Sequence, residues 1–248
     1  MSADLTLDRM FRLSLERYEA MMSASVLTES DHVELIRGHL VKKEGKDQAH
    51  ILAMGLLVDW LYSIVPQGWF VSTENPVVIA DSMPEPDVIL VRGQRRDFGN
   101  RRFTPDTLEL VVEVSDSSLE IDRNVKLSLY AEAGIPLYWI VNLRDHRVEV
   151  YTQPQRDTKP AYYAALQIYG PAVRLPLTLD GAEIATIAAG GSSALKDRTQ
   201  QGVGTAFLPS GAANAKNRFL TPLLDTRRRV GTRRASSVEE STGAIRSP

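Results

Sequence analysis

The chain has 248 residues, 43% of them hydrophobic and 24% charged, with a formal net charge of −2, which suits one large or two small domains around a buried core. It contains no cysteine and four histidines, which excludes disulfides, thiolate metal sites and a cysteine nucleophile and leaves oxygen as the main ligand for any metal, as magnesium and manganese prefer. No apolar run approaches the ~18 residues that span a bilayer, and the N-terminus lacks a lysine-rich start before an apolar stretch, so a cytoplasmic protein with no membrane contact is expected.

In chain order, "LSLERYEAMMSASVLTES" carries Leu15, Tyr18, Met21 and Met22 at helical spacing and predicts an N-terminal helix. "HVELIRGHLVKKE" predicts a hairpin turning at Arg37-Gly38. "AHILAMGLLVDWLYSIV" predicts a strongly apolar helix of about four turns. "GWFVSTENPVVIA" reads as one strand or two short ones, and "PEPDVILVRG" as a buried strand opened by Asp87. "LELVVEVSD" is apolar on both faces, which predicts a central strand covered by helices. "SLEIDRNVKLSLYAEAG" predicts an amphipathic helix with Val125, Leu129 and Tyr130 on one flank and Gly134 ending it. "PLYWIVNL" and "HRVEVYT" follow as strands, with two more near Leu166–Ile168 and Val173–Leu179. The strand–helix–strand run from Leu108 to Val141 makes a right-handed crossover if its strands are parallel. The expected fold is α/β with a mixed sheet over residues 1–189. Residues 190–248 differ: ten of the last 53 residues are Lys or Arg and four are Asp or Glu, leaving 19 basic and 27 acidic residues before them. This stretch reads as a basic, disordered tail suited to backbone phosphate.

Chemistry gathers around a few charged residues. Asp87 enters an apolar strand, where a charge is costly to bury without a partner. Glu113 lies near the C-terminal end of the next strand, and strand ends of open α/β sheets are where ligands commonly bind. Carboxylates on adjacent strands repel each other, and a divalent ion would relieve that repulsion while polarising a phosphate and acidifying water. Lys126, on the following helix, could steady the developing charge. Each residue also has a plainer reading: Asp87 as a strand cap, Glu113 as an edge residue, and Lys126 as an i,i+4 partner of Asp122.

The order of these residues resembles the PD-(D/E)XK superfamily of restriction-endonuclease-like nucleases. More narrowly, the chain resembles the Uma-type family of restriction endonucleases, through "LERYEAMMSASVLTESDHVELIRGHLV", "PEPDVILVR", "LVVEVSDSSLEIDRNVKLSLYAEAGIPLYWIVNL" and "RVEVY". The resemblance implies a restriction-endonuclease-like core in which Asp87 and Glu113 bind the metal and Glu34 completes the acidic cluster. The superfamily's lysine normally sits two residues after the second acid, and here that position is Ser115. The family supplies the lysine from the helix instead, matched by Asp122 and Lys126, and it tends to carry a histidine where His50 stands. For His50 a capping or core role is an equal alternative.

The implied activity is Mg²⁺- or Mn²⁺-dependent hydrolysis of DNA phosphodiester bonds by an endonuclease, with catalytic Asp87, Glu113 and Lys126, metal-binding Asp87, Glu113 and Glu34, and accessory His50 and Asp122. The superfamily's habits admit a homodimer. Two rival readings stand beside this one: a nucleic-acid-binding or scaffold protein that kept the fold without catalysis, and a phosphoesterase acting on a small substrate.

Overall fold

The computed structural model describes residues 10–171 and 173–187, and the tail expected over 190–248 lies outside these residues. Helix α1 (Leu15–Ser23) begins at Ser14, whose hydroxyl accepts from the Arg17 amide, and it buries Tyr18. The hairpin of β1 (Val33–Ile36) and β2 (His39–Lys42) turns at Arg37 and Gly38, both at positive φ, in keeping with a tight two-residue turn. A side chain at Gly38 is doubly disfavoured. Its φ is +78°, and a Cβ there would lie 2.9 Å from the Arg12 Cβ and 3.0 Å from the Leu13 carbonyl.

Helix α2 (Gln48–Ile64) is capped by the Asp47 carboxylate, which accepts from the His50 amide. Six strands form the central sheet: β3 (Trp69–Thr73), β4 (Val88–Arg92), β5 (Leu108–Ser115), β6 (Leu137–Asn142), β7 (Arg147–Gln155) and β8 (Tyr162–Tyr169), side by side in chain order. Only β5 and β6 run parallel, so the sheet is mixed as expected. A separate hairpin of β9 (Leu175–Leu179) and β10 (Ala182–Ile187) follows. Among the described residues no helix is long and apolar enough to cross a membrane.

All eight residues of β5 are buried, the mark of a strand covered on both faces. Leu110, Val112 and Val114 pack toward α2, against Ala53, Leu57, Trp139 and the leucines of β9. Val111 points the other way, into a second core with Ile89, Tyr138, Ile140, Leu129 and Tyr130. By the alternation of a strand, Glu113 and Ser115 share that second face.

The segment that covers the second face is not one regular helix. A short turn, α3 (Leu119–Ile121), leads into a widened π turn (Asp122–Lys126) and then α4 (Leu127–Ala133), which ends at Gly134 with φ +76°. The extra residue in the π turn shifts the helical register, and such insertions are frequent at functional sites. Val125, expected on the inward flank, is 40% exposed, while Asp122 and Lys126 turn inward and are buried. "GWFVSTENPVVIA" yields one strand, β3. Val77 and Ile79 make only isolated bridges, to Phe103 and Ser82. The second strand of the last hairpin, β10, has no counterpart in the sequence expectation.

Candidate active site

Strand register brings the two carboxylates together. β4 and β5 pair antiparallel with Val88 opposite Val112, so Asp87, one residue before β4, falls beside Glu113. The bond that fixes this is short: the Val114 amide donates to Asp87 Oδ2 at 2.7 Å. Glu34 arrives from β1, because the first hairpin docks on the segment that leads into Asp87. Met83 donates its amide to the Leu35 carbonyl at 2.7 Å, and the Glu85 amide donates to Glu34 Oε2 at 3.0 Å. Asp122 and Lys126 come from the π turn.

Lys126 is the hub. Its Nζ lies 3.0 Å from Glu34 Oε1, 3.1 Å from Glu113 Oε1 and 3.9 Å from Asp122 Oδ1. Burial alone would make the ammonium easier to deprotonate, but Glu113, Glu34 and Asp122 outweigh it and hold Lys126 protonated well beyond the ordinary lysine range. Tyr130, one turn along, donates its hydroxyl to the same Glu113 oxygen at 2.8 Å. For Glu113 the balance runs the other way. Burial raises its pKa well above the usual carboxylate range; Lys126 counters this, while Asp122, Asp87 and Glu34 add to it.

Asp87 behaves differently although it is as deeply placed. Burial opposes its charge, yet the bond from His50 Nε2 at 3.0 Å and that from Lys46 Nζ at 2.8 Å bring its pKa down to about 2. Ser115, the position where the superfamily places its lysine, points into the site as strand alternation requires. Its hydroxyl donates to Asp122 Oδ2 at 2.7 Å, and Ser118 does the same. Ser115 is fully buried, so a lysine there would have to shift its neighbours or extend into the cavity. Asp122 Oδ1 has no hydrogen-bond partner although it is buried. Burial raises the pKa of Asp122, partly offset by Lys126 and the two serines.

All six residues expected at the site, Glu34, His50, Asp87, Glu113, Asp122 and Lys126, line one cavity of about 480 Å³. Sequence reasoning missed two others. Tyr130 reads as plain core, although its i,i+4 relation to Lys126 places both on one helix face. Lys46 carries no periodic signal, because it sits in the polar segment "KKEGKDQ" before α2.

The donor set can be tested against a divalent cation. Four buried carboxyl groups (Glu34, Asp87, Glu113 and Asp122) converge on two ammonium groups (Lys46 and Lys126), one of them shared with Glu74, so the acids outnumber the cations. Hard oxygen donors, more acids than cations and the unpartnered Asp122 Oδ1 fit a hard dication such as Mg²⁺ or Mn²⁺. As the side chains stand, no three Asp, Glu or His groups among the described residues already enclose a common point. The chemistry fits, and the side chains must rearrange to use it.

The mixed sheet carries an acidic cavity at one strand end, and with that geometry the chain can be compared with known proteins. Residues 15–187 match the Uma2 family, described as "Putative restriction endonuclease", and the chain belongs to that family. Among solved structures it is similar to "a putative nuclease belonging to DUF820" from Anabaena variabilis ATCC 29413. The TM-score is 0.52 at 17% identity, over 67% of this chain and 89% of that one, a likeness of fold. No curated protein matches the sequence.

Proposed function

We propose that this protein is a Mg²⁺- or Mn²⁺-dependent endonuclease that hydrolyses DNA phosphodiester bonds. The observation that carries the reading is the convergence of Asp87 and Glu113, from adjacent strands, with Glu34 and Lys126 on the wall of one cavity. Asp87, Glu113 and Glu34 would hold the ion. When bound, it supplies Lewis acidity toward a phosphoryl oxygen and lowers the pKa of the attacking water.

The chain's own groups do the rest. Lys126 keeps a fixed positive charge beside Glu113, where it can offset negative charge that builds on the phosphorus oxygens. Tyr130 and the Val114 amide hold one oxygen of Glu113 and one of Asp87, respectively, which limits how far either carboxylate has to move to meet an ion. The cavity is lined by nine carboxylate side chains and four lysines, a surface that repels a polyanion unless cations enter with it. This supports a metal-dependent reading over simple electrostatic capture of nucleic acid.

One observation favours a non-catalytic scaffold instead: both oxygens of Asp87 are already engaged by protein donors. Supercoiled plasmid incubated with the protein and Mg²⁺ or Mn²⁺, with chelator as control, separates the two. Nicked circles that vanish with chelator support the nuclease. Intact plasmid at high protein concentration with either ion supports the scaffold, and RNA and a small phosphodiester in parallel define the substrate class.

A further inference from the structure

Lys46 enters the site from the link between β2 and α2. Its Nζ donates to Asp87 Oδ1 at 2.8 Å and to Glu74 Oε1 at 2.7 Å. His50 Nε2 shares the same Asp87 oxygen at 3.0 Å, and the Val114 amide holds the other at 2.7 Å. An ammonium and a divalent ion seek the same thing from Asp87, a carboxylate oxygen with lone pairs to spare. Held on one oxygen, they would bring two positive charges into contact.

Of the groups around Asp87, Lys46 is the one able to yield. Its side chain is 33% exposed, against 9% for Lys126, which is locked among three carboxylates. Gly45 before it has open space where a Cβ would stand, so the link is not packed in place. The lysine stem is flexible, and its second partner, Glu74, is half exposed at the cavity rim, giving the ammonium somewhere to rest. His50 has less freedom, being in the first turn of α2 with its amide tied to Asp47. The Val114 amide belongs to β5 and cannot leave.

We infer that Lys46 is a tethered counter-ion: it neutralises Asp87 until a divalent ion arrives, and must withdraw toward Glu74 for that ion to bind. The inference rests on the reading of Asp87 as an ion ligand. Withdrawn, Lys46 stays at the mouth of the cavity, where its ammonium faces an incoming phosphodiester. The cost of moving it sets the ion affinity of the empty site, so Lys46 tunes how much Mg²⁺ or Mn²⁺ the protein needs.

Calorimetric titration with Mn²⁺ in the absence of nucleic acid tests this directly. Lys46→Met should bind Mn²⁺ about tenfold or more tightly than the wild type, since a close competing charge has been removed. Lys46→Arg, which keeps the charge, should not gain affinity. Lys46 is partly exposed, so both variants should keep the wild-type circular dichroism spectrum. Wild-type protein that binds Mn²⁺ with Lys46→Met no tighter overturns the counter-ion role and leaves the ion site standing. If wild type, Lys46→Met and Asp87→Ala all fail to bind Mn²⁺, the ion reading itself falls and this inference goes with it.

Discussion

Glu113 and Glu149 lie in one line across the sheet: Glu113 is opposite Ile140 in β6, and Ile140 is opposite Glu149 in β7. Both are buried, and each draws a cation from the same π turn, Lys126 for the first and Arg123 for the second. There the likeness ends. Glu149 accepts from Arg123, from Arg147 Nε at 3.0 Å, from Asn142 Nδ2 at 3.0 Å and from the Tyr151 hydroxyl at 2.9 Å. Burial opposes its charge, but these donors, Arg123 foremost, bring its pKa down to about 2. Glu113 shares one ammonium with Glu34 and Asp122, and burial drives its pKa up. Burial alone does not set the direction in which a carboxylate's pKa moves. What separates these two is the supply of donors: Glu149 has several of its own, while Glu113 has Tyr130 and an ammonium that it shares.

The same conservative substitution should therefore have opposite consequences at the two positions. The largest effect is expected at the site. Glu113→Gln should bring plasmid nicking to background, as should Asp87→Ala. The melting temperature of Glu113→Gln should stay within a few degrees of the wild type, because burial works against the charged form of Glu113 and an uncharged isostere gives up little. A Glu113→Gln protein that cleaves normally would collapse the distinction.

Glu149→Gln should do the reverse. It removes the buried acid of an ionic cluster and leaves Arg123 and Arg147 with Asp145 alone, at a cost of roughly 1–3 kcal/mol measured by urea unfolding. Cleavage per folded molecule should change little, since Glu149 does not line the cavity. A large loss of rate without loss of stability would mean that the Arg123 anchor sets the position of Lys126.

Lys126→Met comes next, with an expected loss of ~10²–10³ in rate, the usual worth of one well-placed electrostatic group. Because the lysine also compensates buried carboxylates, the rate must be normalised to the folded fraction from circular dichroism. Wild-type rates in this variant would remove Lys126 from the chemistry.

The smallest effect is the pH dependence of stability, where the carboxylates of the site oppose one another. The pKa of Asp87 is depressed, so the stability it contributes is present above the ordinary aspartate range and is lost as pH falls toward 2, about 2 kcal/mol in all. The pKa of Glu113 is raised, so its surroundings favour the protonated form, and the protein loses that advantage as pH climbs from about 4.5 upward. Urea unfolding of wild type and Asp87→Asn from pH 2 to 6 should show a stability gap that closes toward the acid end. A gap that is constant with pH would mean that Asp87 is not ionised by its pairing with His50 and Lys46.

How much of this was legible beforehand follows from what a linear pattern encodes. The alternation and apolar density of "LELVVEVS" determined a central strand with Glu113 and Ser115 on one face, and "VELIRGHLVK" determined the first hairpin, because strand period and turn chemistry are local properties. The family's spaced acids were equally readable, and they pointed to the cavity in which Asp87, Glu113 and Glu34 meet. The helix after β5 was only half legible. Its sequence has ordinary helical spacing, and nothing in that spacing announces the π turn that rotates Val125 outward and Asp122 and Lys126 inward. Lys46 and the Glu149 cluster were not legible at all. Lys46 finds Asp87 across 41 residues of chain, and Arg123 finds Glu149 across 26, by way of strand registers that bring distant segments to hydrogen-bonding distance. Charges placed by tertiary contact leave no period in the sequence, so the cations held by Asp87 and Glu149 were decided by the folded structure alone.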